Sequence, residues 1–284
     1  MRRTLETGRR TCLAQLTVLL VGLVSLPPAA VAQLPQTRLS SVFPSGGQVG
    51  TTIEVAIAGS DIDEVDRLTF SHPGLKAVQK TTESNGKKTP VANTFVVTID
   101  GKVPVGSHDV RISGLFGTSN PRAFLVSSRK QSREKEGNNT FKEATPFEIN
   151  SQVAGQVGAA ADVDYLKFEG KKGQRVIFDC HATRVDSRLN AVMEIYSRQE
   201  NRVRLLAYSR RQLGHDPLAD LTLPADGEYF VRIFDERFLG AADYGYLLSV
   251  HTGPHIDYIM PAAGVPGTTG AFTLFGRNLP GGQP

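Results

Sequence analysis

Apolar residues along this chain come in short runs that alternate with polar ones, separated by glycine, proline, asparagine and aspartate. Between Gln33 and Ser128 the runs are Ile53–Ala58, Phe95–Ile99, His108–Ile112 and Ala123–Val126. Turn chemistry divides them at Gly46-Gly47, Gly59-Ser60-Asp61, Asn85-Gly86, Val105-Gly106 and Ser119-Asn120-Pro121. A period of two bounded by such residues predicts half-buried strands. Between Phe141 and Gly253 eight further runs follow: Val153–Val157, Tyr165–Glu169, Arg175–Cys180, Val192–Tyr196, Val203–Tyr208, Leu221–Leu223, Tyr229–Phe234 and Tyr246–Val250. Within this region Ala161–Phe168 (ADVDYLKF) and Pro224–Phe234 (PADGEYFVRIF) each set an acidic turn directly before an alternating run, and we read them as strands of one two-layer unit. No stretch sustains a 3.6-residue apolar period, so the expected fold class is all-β, built from packed pairs of sheets.

An internal repeat divides the chain further. Val42-Phe43-Pro44, Gly50-Thr51-Thr52, the run Ile53–Ala58 and Gly59-Ser60-Asp61-Ile62 recur at one constant spacing as Ile259-Met260-Pro261, Gly267-Thr268-Thr269, Gly270–Phe275 and Gly276-Arg277-Asn278-Leu279. Proline ends the incoming strand, Gly-Thr-Thr turns into the next, and the later glycine admits a bulge or tight turn. These residues resemble the start of the immunoglobulin-like IPT/TIG family, with its P-x-x-G-x-x-G-T-x pattern, hydrophobic strand and G-x-x-[LF] turn. Val103-Pro104-Val105-Gly106 and Ala123–Val126 are similar to that family's later hairpin and closing strand. The resemblance covers roughly Arg38 to Ser128 and implies an Ig-like sandwich. The second copy begins near His255, and its two strands to Pro284 are too few to bury a core; we expect a longer multidomain protein.

A second resemblance covers about Glu134 to Thr252. Asn138-Asn139-Thr140, Ala144-Thr145-Pro146, Asp162-Val163-Asp164-Tyr165-Leu166-Lys167-Phe168, Lys172-Gly173-Gln174, Pro224-Ala225-Asp226-Gly227-Glu228-Tyr229 and Tyr244-Gly245-Tyr246 follow, in order, the motifs of the bacterial pre-peptidase C-terminal domain. That resemblance implies a jelly-roll-like sandwich appended to secreted enzymes or surface proteins and itself non-catalytic; relatives in bacterial collagenases bind collagen. Some relatives hold calcium between the incoming linker and the turn before the D-x-D-Y strand. Carried over position by position, Glu134 and Glu136 would give carboxylates, Asn138 an amide or backbone oxygen and Asp164 a carboxylate. Asn139 stands where the family often has Asp, and the turn carrying Asp162 is shorter than in the calcium-binding relatives. Calcium requires several hard oxygens gathered from more than one segment, which this set supplies. The same residues also suit a solvated linker and an Asp-rich turn whose carboxylates cap backbone amides.

Charge and composition change the picture at the N-terminus. Arg2, Arg3, Arg9 and Arg10, the apolar Leu13–Leu26 and Ala30-Val31-Ala32 form a cleavable export signal, so the mature chain is expected to start at Gln33 with no membrane span. The chain holds 32 Lys+Arg against 28 Asp+Glu; the leader's four Arg and one Glu leave 28 against 27, which removes the argument for a nucleic-acid partner. Cys12 leaves with the leader, so Cys180 has no intrachain partner and reads as a small buried hydrophobe.

No catalytic template is satisfied: G-x-S-x-G, H-E-x-x-H, C-x-x-C and a phosphate-binding glycine loop are all missing, and the six histidines are scattered. Ser127 and Lys130 match S-x-x-K only formally, within the polar run Ser127–Thr140 (SSRKQSREKEGNNT), which reads as a solvated linker. Arg198, Arg202, Arg204, Arg210 and Arg211 cluster around one hairpin, as a charged sheet edge or a patch for acidic polysaccharide. The expected organisation is therefore a leader (1–32), an Ig-like sandwich (37–128), a charged linker (129–140), a jelly-roll-like sandwich (141–253) and the start of a second Ig-like domain (254–284). The expected role is that of a secreted or cell-surface, non-catalytic protein that binds an extracellular protein or polysaccharide. The alternative is the substrate-targeting region of a secreted peptidase or other hydrolase.

Overall fold

Alternation along the first part of the chain produces nine strands: β1 (Arg38–Phe43), β2 (Gly46–Gln48), β3 (Thr52–Ser60), β4 (Arg67–Phe70), β5 (Leu75–Ser84), β6 (Lys87–Ile99), β7 (Gly106–Gly114), β8 (Gly117–Thr118) and β9 (Arg122–Ser127). The computed structural model describes residues 34–84, 86–200 and 202–281; the leader Met1–Ala32 with Cys12, and Asn85 of the first region's turns, lie outside the described residues. One sheet runs β1-β3-β6-β5 and the other β2-β9-β7-β4, with β8 paired to β7. Period two puts Val55 and Ile57 of β3 inward while Glu54 and Ala56 face out, and Phe95, Val97 and Ile99 of β6 complete that face. Leu39, Leu68, Val110, Ile112, Phe124 and Val126 fill the space between the sheets.

Ten strands follow: β10 (Lys130–Arg133), β11 (Thr145–Pro146), β12 (Ser151–Gln156), β13 (Asp164–Gly170), β14 (Arg175–His181), β15 (Ala191–Gln199), β16 (Arg202–Ser209), β17 (Leu218–Thr222), β18 (Gly227–Asp235) and β19 (Gly245–His251). They form two five-stranded sheets, β10-β12-β19-β14-β17 and β11-β13-β18-β15-β16. Apart from the β15–β16 hairpin, consecutive strands from β10 to β19 lie in opposite sheets. Asp164–Phe168 and Tyr229–Phe234 are therefore adjacent in one sheet, Leu166 opposite Val231 and Phe168 opposite Tyr229. Leu166, Phe168, Val176, Phe178, Met193, Ile195, Val231, Ile233, Leu248 and Val250 make the core. The stretch 129–140, expected as a solvated linker, differs: Lys130–Arg133 pairs in parallel with Ser151–Ala154, and Asn138 is fully buried. Polar side chains do not prevent a strand whose hydrogen-bond partner is a neighbouring backbone.

The two sandwiches meet along a seam where Phe43 and Leu125 pack on Ala154, Val185 and Leu247. A Cβ at Gly46 would lie 2.2 Å from the Leu125 carbonyl oxygen and 2.9 Å from Leu247 Cδ1, so only glycine fits there. The Ala123 amide donates to Asp186 Oδ2 (2.7 Å), Arg122 Nη1 to the Asp186 carbonyl (3.3 Å) and Gln131 Nε2 to the Gly46 carbonyl (3.0 Å).

Beyond the second sandwich, β20 (His255–Met260) and β21 (Thr273–Arg277) form a hairpin. It reproduces β1–β3 feature by feature. The bulge between Leu39 and Ser41 returns between Ile256 and Tyr258, cis peptides precede Pro44 and Pro261, and Asp61 and Asn278 share a positive φ of 51°. Leu39 is 1 % exposed, whereas its counterpart Ile256 is 51 % exposed.

Candidate metal centre

The alternation of β13 decides where its first residue points. Leu166 and Phe168 face the core, so Asp164, two positions earlier, faces the same way and is 0 % exposed. No nitrogen or hydroxyl donor meets Asp164 Oδ1 or Oδ2, whose hydrogen-bonding neighbour is the Glu134 carboxyl. Asn138, also fully buried, accepts the Tyr165 amide on its backbone carbonyl (2.9 Å) and leaves its side-chain Oδ1 without a partner. Buried acceptors are almost always satisfied, and these three share one neighbourhood.

Two further carboxylates converge there. One oxygen each from Glu136, Asp162 and Asp164 lies within 4.8 Å of the other two. Asp162 sits in the turn before β13, where Oδ2 accepts the Gly158 amide (2.7 Å) and Oδ1 the Val163 amide (2.9 Å). Asn139, with its amide nitrogen turned towards the turn, donates to Asp162 Oδ1 (2.8 Å) and to the Val163 carbonyl (3.0 Å). The turn itself is fixed by Ala161, at φ 64°, whose amide donates to the Phe238 carbonyl (2.9 Å).

Glu134 stands behind this group. Its oxygens accept the Gln156 amide, Tyr246 Oη (2.8 Å) and Asn138 Nδ2 (3.2 Å). Tyr246 reaches it across β12 because Gly155 has no side chain: a Cβ there would lie 2.2 Å from the phenol and 2.7 Å from Glu134 Oε2. The structure thus brings all six sequence-expected residues together in two layers. Glu136, Asp164 and the Asn138 amide oxygen offer free lone pairs, Asp162 keeps one on Oδ2 beside its bond from the Gly158 amide, and Glu134 and Asn139 are engaged in orienting their neighbours.

The electrostatics follow from crowding. Burial, and then the Glu134 charge, push the Asp164 carboxyl far above the ordinary carboxylate range. Burial raises Glu134 as well, against the Gln156 and Tyr246 hydrogen bonds, and burial and the Asp162 charge raise Glu136. Burial and the Asp164 charge raise the Tyr246 phenol. Glu134 and Asp164 hydrogen-bond to each other, which places a proton between the two carboxyls; a divalent ion among hard oxygens would relieve the same crowding by opposite charge. The residues that sequence reasoning passed over are Tyr246 and Gln156. Only the Tyr244-Gly245-Tyr246 motif carried any signal for them.

Cys180 is wholly buried with its thiol raised by burial, and it packs in the core as a hydrophobe. Of the arginine cluster, Arg210 and Arg211 pair with Glu236. A second buried ionic set lies at the far end of β14. Asp216 accepts the Ala182, Thr183 and Arg184 amides and Arg184 Nε (2.8 Å), and Asp179 pairs with Arg184 and with His181 Nε2 (3.0 Å). Every carboxylate there is met by nitrogen donors, unlike Asp164.

No family model matches the chain. Over 101 residues, 34 % of its length, it is 32 % identical to a probable subtilase-type serine protease of Deinococcus radiodurans, and it spans 14 % of that protein's length. Among solved structures it is similar to the pre-peptidase C-terminal domain of collagenase from Bacillus anthracis, with 17 % identity, 40 % of this chain and 99 % of that one covered, and a TM-score of 0.31. It is also similar to a periplasmic inhibitor of g-type lysozyme from Aeromonas hydrophila (15 %, 42 % and 99 %, 0.27). A third likeness is to carbohydrate-binding modules from the β-sandwich superfamily (10 %, 76 % and 96 %, 0.25). Among the described residues no helix is long and apolar enough to cross a membrane.

Proposed function

We propose that this chain is a secreted or cell-surface, non-catalytic β-domain protein that binds an extracellular matrix component or polymer, with calcium locking the 129–140 stretch onto the second sandwich. Its division follows the sequence motifs: leader 1–32, IPT/TIG-like sandwich 37–128, pre-peptidase-type jelly roll 141–253 and the first hairpin of another Ig-like unit from 254. The observation that carries the calcium reading is Asp164, whose two buried oxygens have no nitrogen or hydroxyl donor, beside an orphaned Asn138 Oδ1. In this reading Glu136, Asp162, Asp164 and Asn138 hold the ion, and Glu134 and Asn139 orient them. Bound calcium supplies positive charge and rigidity, which joins the segment after β10 to the turn before β13. Thermal melts in calcium and in chelator test it: we expect a higher midpoint with calcium, lost in Asp164→Ala. Coincident melts for the wild type reject it.

The 101-residue likeness to a probable subtilase-type serine protease favours a second reading, in which the chain is the accessory region of a secreted hydrolase. Gene sequence past the codon for Pro284 separates the two. A peptidase signature there supports the accessory role, and further β-repeats or an anchoring segment support adhesion.

A further inference from the structure

A cleft of about 370 Å³ opens on the seam between the two sandwiches, inside the range of roughly 300–1,000 Å³ typical of small-ligand sites, which favour such joints. It is framed by β2 and β10, each at the border of its sheet, and by Thr52–Glu54 of the interior strand β3. Pro44 gives a small apolar edge, and Gln48, Thr52, Glu54, Gln131 and Arg133 provide polar groups, while Ile53 of the same lining packs back on the first core.

Those groups are held in place with capacity left over. Gln131 is fixed by its Nε2 bond to the Gly46 carbonyl, which leaves the second Nε2 hydrogen to donate, while its Oε1 is buried away from solvent. Arg133 donates through Nη2 to the Glu54 carbonyl and lies over the Phe43 ring, 5.5 Å from the centroid. The Glu54 carboxylate is taken by Lys80 Nζ at 2.7 Å, and among the described residues Arg133 forms no ion pair with any carboxylate. Glu54 also lines the cleft and its charge acts on Arg133, so two cations, Lys80 and Arg133, face one carboxylate and one positive charge is left over beside neutral amides and hydroxyls. A guanidinium fork matches a carboxylate, amides match ring hydroxyls, and the Pro44 ring suits the C–H face of a sugar.

We propose that this cleft binds a uronic-acid residue of an acidic polysaccharide, with Arg133 on the carboxylate and Gln48, Thr52 and Gln131 on the hydroxyls. This rests on the polymer-binding reading above and names both the site and the ligand class. It is independent of the calcium centre, which lies on the other side of β10, where Glu134 follows Arg133.

The test is calorimetric titration of the mature chain with short oligosaccharides of polygalacturonate and of hyaluronan, with neutral dextran oligomers and poly-glutamate as the other arms. We expect binding to at least one uronate ligand, weakened by about tenfold or more in Arg133→Gln and in Gln131→Leu, the loss typical of a charge-assisted contact. Because Arg133 also braces the seam, Thr52→Trp serves as the second variant: it fills the cleft from an exposed position. It is expected to abolish uronate binding and to leave the calcium-dependent shift in melting unchanged. No binding to either uronate ligand overturns the proposal, as does wild-type affinity in Thr52→Trp or equal affinity for poly-glutamate, which would make the occupant an acidic peptide. If the calcium shift persists in any of these cases, the uronate site alone has failed and the calcium reading stands.

Discussion

Asp164 places a carboxyl group where neither oxygen meets a nitrogen or hydroxyl donor, at the head of a strand whose next inward residues are Leu166 and Phe168. A group whose pKa is raised on folding holds its proton more tightly in the native state. Its stabilising effect is therefore present in acid and fades as pH climbs from the ordinary carboxylate value of about 3.9 towards the raised one. Calcium must displace that proton, so the gain in melting temperature from calcium over chelator is expected to grow between pH 5 and pH 8. A gain that shrinks over that interval contradicts the assignment. Asp164→Asn, which keeps the shape and removes the charge, is expected to melt in chelator at or above the wild type and to show no response to calcium. His251 behaves in the opposite sense. It is 3 % exposed, and burial, then the Arg129 and His255 charges, lower it to about 4. The unfolded chain therefore takes up a proton that the native state refuses between about 6.5 and 4, and stability falls as pH drops through that window. His251→Gln is expected to flatten this part of the pH profile in denaturant titrations. At this scale the motifs marked six oxygen-bearing residues, of which Glu136, Asp162 and Asp164 bring one carboxylate oxygen each within 4.8 Å of the others. Which of them are free was not legible: the Tyr246 phenol that occupies Glu134 lies far along the chain, and no local pattern links the two.

At the scale of elements, strands with an apolar alternation were readable because burial wrote it into them, as in β13 and β18. The short parallel strands β10 and β11 carry Lys-Gln-Ser-Arg and Thr-Pro, and what makes them strands is a backbone partner supplied by β12 and β13. That partnership gives the region after β9 its role. Arg133 on β10 turns to the seam, and Glu134 next to it turns to the acidic centre, the two-sided geometry of extended chain. Gly155 on β12 is the residue that lets Tyr246 reach Glu134. Gly155→Ala drives a methyl group into Tyr246 and Glu134. We expect a loss of about 1–3 kcal/mol by overpacking together with a smaller calcium response, measured by urea unfolding with and without the ion. Wild-type stability in Gly155→Ala would show that Tyr246 does not cross β12 as described.

Across the whole molecule, the seam joins two cores that composition alone would have left independent. The sequence pattern separated them at the charged stretch, and docking is invisible to periodicity because Phe43, Leu125 and Leu247 look like ordinary strand residues. With apolar packing and the Asp186 hydrogen bonds both in place, the two sandwiches are expected to unfold in one calorimetric transition. Asp186→Ala, which unpairs the Ala123 amide, is expected to split it into two; two transitions in the wild type would contradict a tight joint. The hairpin β20–β21 repeats β1–β3 in register while its apolar face stays exposed, and this was legible in advance because the same residues recur in the same order. The proposed calcium lock on the second sandwich is tested most directly by counting ions: equilibrium dialysis of the mature chain against micromolar to millimolar calcium, followed by metal analysis. The account predicts one calcium per chain at saturation, absent in Asp164→Ala. A wild-type chain that retains no more calcium than the surrounding buffer contradicts it.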